Sequence, residues 1–120
     1  MNKEIEALAF RAIACPAWRW RPGMLALSYP RSIWIRIVNP PTDDTSECFP
    51  DLSDPATLGA LLALVREGFG PTFHVIPLGG WLTQGARLPN GATVNLGICE
   101  ASEAAALVAA LEAASLSPAP

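Results

Sequence analysis

Trp18-Arg19-Trp20-Arg21 is the stretch of this chain whose residue types and spacing most invite chemistry. Neighbouring side chains of an extended segment point to opposite faces, so the four residues separate into a tryptophan face and an arginine face. A second group follows in Ile33-Trp34-Ile35-Arg36-Ile37, where Trp34 shares a side with Arg36 and three isoleucines take the other. If the isoleucines are core, Trp34 faces out or lies under a helix. Three readings fit Trp18, Arg19, Trp20, Arg21, Trp34 and Arg36. They are half-buried segments with tryptophan in the core. Or they are a protein-binding surface, where Trp and Arg concentrate the binding energy. Or they bind a single-stranded nucleic acid, with bases stacked on the tryptophans and phosphates met by the arginines. These six residues are the candidate partner-binding set.

Other chemistries find little support. Lys3 is the sole lysine and no glycine precedes it, which excludes a Walker A loop and disfavours Schiff-base chemistry. No GxGxxG, GxSxG, HExxH or CxxC occurs. His74 with Cys15, Cys48 and Cys99 completes the ligand count of a Cys₃His zinc site, but each candidate stands alone rather than in the close pairs one turn can present. A Cys–His nucleophile lacks a local motif, and Cys48 beside Glu47 has its thiolate disfavoured. Asp43, Asp44, Glu47, Asp51 and Asp54 crowd one stretch without the glycine that a calcium loop requires. They read as a solvated loop, with Asp51 and Asp54 favourably placed near a helix N-terminus. The sequence therefore predicts no catalytic residue, metal or cofactor.

These residues sit in a 120-residue chain that is 51% hydrophobic and 16% charged, enough apolar material for one domain over residues 1–115 with a disordered tail at 116–120. The net charge of −3 is unevenly spread. Residues 1–40 carry six basic side chains against Glu4 and Glu6, while residues 41–120 carry Arg66 and Arg87 against nine acids. The three cysteines are odd in number and widely spaced, which fits a reducing cytoplasm better than a secreted disulfide framework. Neither a signal-type h-region nor a membrane-spanning stretch is found, so no membrane partner is expected.

Helical spacing of Ile5, Leu8, Ala9, Ala12 and Ile13 predicts a first helix over 3–14, stopped at Pro16. Residues 18–20, 24–29 and 33–38 read as extended, the last two joined by a hairpin at Tyr29-Pro30-Arg31-Ser32. Residues 39–54, rich in proline and acid, read as the longest loop. Ser53-Asp54-Pro55 opens a helix with Leu58, Leu61, Leu62, Val65 and Phe69 on one face, closed by Gly68 or Gly70. A strand over 72–78, with Pro77 marking an edge or bulge, precedes Gly79-Gly80, a hairpin turn or a mobile flap below Trp81. Residues 81–88 and 92–98 form a hairpin about Pro89-Asn90-Gly91, with Val94, Leu96 and Ile98 turned inward. Residues 102–116 form a last, alanine-rich helix burying Ala104, Leu107, Val108 and Leu111. The order α-β-β-α-β-β-α predicts an α+β fold, a mainly antiparallel sheet of hairpins with about three helices packed on it.

Two stretches, Cys15 to Met24 (CPAWRWRPGM) and Pro50 to Gly59 (PDLSDPATLG) with its helix to Glu67, together with Glu103 to Ala114, resemble a family of small uncharacterised proteins encoded by bacteriophages and prophages. The likeness spans residues 15–114 except for a variable middle. It implies an accessory phage protein acting in the cytoplasm of a bacterial host, and it brings no catalytic residue with it. The leading expectation is a non-enzymatic protein that binds a host protein complex, such as an inhibitor of a CRISPR effector or another defence system. The alternative is single-stranded nucleic-acid binding through the Trp/Arg surface.

Overall fold

A computed structural model describes residues 3–28, 33–38, 48–77, 79–87, 93–94 and 99–116 of the chain. The elements are α1 (Lys3–Ile13), β1 (Leu25–Ser28), β2 (Ile33–Arg36), β3 (Cys48–Pro50), α2 (Pro55–Phe69), β4 (His74–Pro77), β5 (Trp81–Gln84), β6 (Ala86–Arg87), β7 (Thr93–Val94), β8 (Cys99–Glu100) and α3 (Glu103–Leu116). The fold is α+β: three helices against small antiparallel sheets of order β2-β1-β3 and β4-β5-β8, with β6 and β7 paired separately.

Local chemistry sets the helix ends. Asp54 has extended backbone (φ −83°, ψ 124°), and its carboxylate accepts the Thr57 N–H while Pro55 occupies the first turn. Gly70, at φ 95°, closes α2 by donating its N–H to the Arg66 carbonyl. Ser102 opens α3, its Oγ accepting from the Ala105 N–H at 3.1 Å. The expected face of α2 is met by Leu61, Val65 and Phe69, which are buried together with Thr57 and Leu64, while Leu58 and Leu62 pack at the margin.

The last helix is more deeply placed than a single apolar stripe predicts. Ala106 and Ala110 are buried as well as Ala104, Leu107, Val108 and Leu111, because α3 packs against α1, α2 and the β4-β5-β8 sheet at once. Small side chains permit this approach: a Cβ on Gly68 of α2 would lie 3.1 Å from the Ala114 Cβ. Arg11 of α1 reaches Glu112 of α3 through two hydrogen bonds, at 2.5 and 3.3 Å.

Two expectations from the sequence are corrected. Residues 18–20 form no strand and run as an irregular strap between α1 and β1. Within the stretch expected to be loop, Cys48-Phe49-Pro50 forms β3, buried on both faces and paired to β1. The reason is geometric. Asp51 donates its N–H to the Leu25 carbonyl, so in the antiparallel pattern Leu27–Phe49 is hydrogen-bonded and Ala26–Pro50 is not. Pro50 therefore turns its donor-less nitrogen away from β1, the one orientation in which an edge strand accepts proline.

The strands expected around Tyr29–Ser32 and Pro89-Asn90-Gly91 do pair antiparallel, but both turns lie outside the described residues, as do Leu96 and Ile98. Pro77 ends β4, an edge strand as expected, and β4 and β5 form a hairpin across Gly79 and Gly80. The last helix runs to Leu116, the first residue of the expected tail, and residues 117–120 lie outside the described residues.

Candidate functional site

The structure separates the six Trp/Arg residues into two groups, about 20 Å apart along α2. In the first, Trp18 and Trp20 pack on the hydrophobic core and meet edge to face, with centroids 5.3 Å apart and planes at 84°. The Trp18 Nε1 atom is buried with no hydrogen-bond partner among the described residues. Arg19 and Arg21 point the other way and converge on a single oxygen, Oε1 of Glu67 near the C-terminal end of α2, Arg21 at 3.0 Å. The alternation expected of an extended segment thus survives in a strap that belongs to no sheet: tryptophans inward, arginines outward.

The second group lies on β2. Arg36 donates from Nη1 to Asp54 Oδ2 at 2.7 Å and to the Gly23 carbonyl at 2.9 Å, and so joins the strap, β2 and the start of α2. Behind this pair stands a small polar network. The Thr57 hydroxyl, on a fully buried residue, donates to Asp54 Oδ2 at 2.9 Å and accepts the Leu25 N–H at 2.8 Å. That N–H would ordinarily bond the Asp51 carbonyl, but the Asp51 carbonyl has turned to accept from the Asp54 N–H at 3.1 Å. Thr57 replaces it. Hydrogen bonding from Arg36 leads the causes that hold the Asp54 carboxyl below its ordinary value, opposed by its desolvation and aided by the bonds from Thr57.

Trp34 has no such engagement among the described residues. It is 48% exposed, and Ile33 and Val38 on the same segment are 49% and 50% exposed. The isoleucines grade along the strand: Ile37 is buried, Ile35 is partly buried, and Ile33, expected in the core, is out. Ile33 stands opposite Ser28, the last residue of β1, where the sheet offers no apolar neighbour across the strand. Phe10 of α1 is the fourth exposed large apolar residue and leans on Phe49, with ring centroids 5.4 Å apart.

The backbone of β2 adds to this. Ile37 donates its N–H to the Met24 carbonyl, so Ile35 and Ile33 also direct their backbone groups to β1. Trp34 and Arg36 direct theirs to the opposite side, which no strand among the described residues covers.

Of the other candidates, His74 places Nδ1 2.9 Å from the Thr72 carbonyl and Nε2 3.2 Å from the Gln84 side-chain oxygen. Cys15 donates from Sγ to the Arg11 carbonyl at 3.3 Å, and Cys48 is buried in β3. Among the described residues, no three of His, Cys, Asp and Glu gather as metal ligands would. Asp43, Asp44 and Glu47 lie outside the described residues; Asp51 accepts from Ser53, and Asp54 is the helix cap. No helix of the described chain is long and apolar enough to cross a membrane.

The sequence reading missed the partners of the arginines. Glu67 and Asp54 are 46 and 18 positions from Arg21 and Arg36, beyond any local spacing rule. A partial signal lies in the Asp54-Pro55-Ala56-Thr57 start of α2, where a capping acid offers a carboxylate that a basic side chain can also meet. No protein-family model, no curated protein and no solved structure matches this chain.

Proposed function

We propose that this is a non-enzymatic accessory protein of the phage type, which binds a host protein complex through the side-chain face of β2 and its continuation. The observation that carries the reading is the exposure of Trp34 and Val38, each about half exposed, on the side of this segment that also bears the exposed Arg36. A tryptophan presented at the surface with an arginine two residues away has the composition of an interface centre. The resemblance of the strap and of the start of α2 to phage-encoded proteins supports the phage origin, and a defence complex such as a CRISPR effector is the host target it suggests.

Nucleic-acid binding is less well supported. Arg11, Arg19, Arg21, Arg36 and Arg66 each already meet an acid or a carbonyl of the chain itself. Phosphates would have to displace those partners, against a net charge of −3.

The test is a tagged pull-down from bacterial lysate, with and without nuclease, comparing the wild-type chain with Trp34→Ala. A stoichiometric protein that survives nuclease and is lost with Trp34→Ala is the expected result. Nuclease-sensitive nucleic acid with no enriched protein overturns the reading in favour of the Trp/Arg nucleic-acid surface.

A further inference from the structure

We infer that β2 pairs with β2 of a second copy of this chain, antiparallel about a two-fold axis at Ile35, so that two three-stranded sheets become one of six strands. The inference concerns the backbone edge of β2 and is independent of which host partner its side chains meet.

Among the described residues, β2 is an edge with the means to pair and without the usual defences. Edge strands are protected by proline, lysine, bulges or a covering element. In the other three-stranded sheet the edge strand β4 follows that rule by ending in Pro77. In the first sheet β3 is buried throughout and carries Pro50. By contrast β2 reads Ile-Trp-Ile-Arg, with no proline and no lysine, and two of its three apolar residues are half exposed. Among the described residues its outward N–H and C=O groups, those of Trp34 and Arg36, have no partner.

The occupant follows from the spacing of those groups. A two-fold axis perpendicular to the sheet keeps each face on its own side, so residues paired across it must have the same parity. Three registers then bring outward groups together within β2. Centring on Trp34 or on Arg36 makes one hydrogen-bonded pair, that residue with its own copy, and the second of these sets two guanidinium groups against each other. Centring on Ile35 makes two, Trp34 with Arg36 of the other copy and the reverse, for four backbone hydrogen bonds.

Charge selects the same register. It places each guanidinium, still half exposed after its bond to Asp54, beside the indole of the other copy, where a cation–π contact forms. On the opposite face it sets Ile35 against Ile35 and Ile33 against Ile37 of the other copy. No like charges meet. The strand is complementary to itself in a way that an arbitrary extended peptide would not be.

The experiment is sedimentation equilibrium of the purified full chain over a concentration series, with circular dichroism to confirm the fold of each variant. The wild type is expected to associate to twice the 12.7 kDa chain mass. Trp34→Lys sets a lysine beside Arg36 of the other copy and is expected to weaken association at least about tenfold. Trp34→Glu sets an acid there instead and is expected to keep the dimer. A wild-type chain that stays monomeric throughout overturns the inference. So does a dimer that Trp34→Lys leaves intact, and so does equal loss with Lys and Glu, which is the outcome if Trp34 faces its own copy. Because Trp34→Glu preserves the pairing while removing the exposed indole, a pull-down with that variant separates loss of the host partner from loss of the dimer.

Discussion

Replacing Thr57 by valine tests the polar network at the junction of α2 and β1 with almost no change in side-chain volume. The substitution removes one oxygen that makes two bonds, accepting from the Leu25 N–H at 2.8 Å and donating to the Asp54 carboxylate at 2.9 Å. An N–H left without a partner in a part-buried position costs about 1–2 kcal/mol, and a hydrogen bond to a charged acceptor contributes about 1.5–3 kcal/mol. Asp54 keeps its bonds from Arg36 and from the Thr57 N–H, so its charge is not stranded and the lower half of that range applies. The sum is about 3 kcal/mol. That is a large share of the stability of a small domain. Urea denaturation is the assay, and the midpoint is expected to fall with little change in slope, because the native surface is the same. Thr57→Ser keeps the oxygen and loses only a methyl group, so it is expected to recover more than half of the difference. A valine variant within about 0.5 kcal/mol of wild type would refute the reasoning, since such a result means that the Leu25 N–H finds water or another acceptor at no cost.

The same network sets a pH dependence. The folded-state pKa of Asp54 is lowered, so its contribution is fully present above the unfolded-state value and is lost as pH falls through the folded one. Chemical denaturation across the acid range is expected to show a shallower loss of stability for Asp54→Asn than for wild type; parallel curves would remove Asp54 as the source. A pair of glycines gives opposite signs. A Cβ at Gly85, where φ is +82°, would lie 2.3 Å from the Thr72 carbonyl oxygen, so Gly85→Ala is expected to cost at least about 2 kcal/mol in thermal or urea melts. Gly59 sits inside α2 with nothing within 4 Å of a Cβ, and Gly59→Ala is expected to stabilise by about 0.5–1 kcal/mol in the same measurements.

Much of this architecture is legible in local chemistry. Asp54-Pro55 and Gly70 bound α2, and Ser102 opens α3, because capping is satisfied by atoms within one turn of the chain. Apolar spacing marks the buried faces of α1 and α2 in the same way, and the pairing of β1 with β2 is announced by two apolar runs on either side of a Pro-containing turn. Of the candidate site, the opposition of tryptophan to arginine over residues 18–21 is also local, since successive side chains of an extended chain must diverge.

What the sequence alone determined, then, is where the helices start and stop, the α+β class and the absence of the common catalytic motifs. The tertiary structure decided the rest, and the reason is the same in each case. Cys48-Phe49-Pro50 becomes a strand because β1 is there to pair with it, although proline and neighbouring acids read as loop. Thr57 is buried where its hydroxyl accepts the Leu25 N–H, from a residue 32 positions away in the chain. Arg19 and Arg21 share Glu67, and Arg36 takes Asp54, through contacts whose cost in chain entropy only the assembled core repays. Periodicity says which way a side chain points; only the packed molecule says what stands there, and on β2 it leaves Ile33 and Trp34 half exposed.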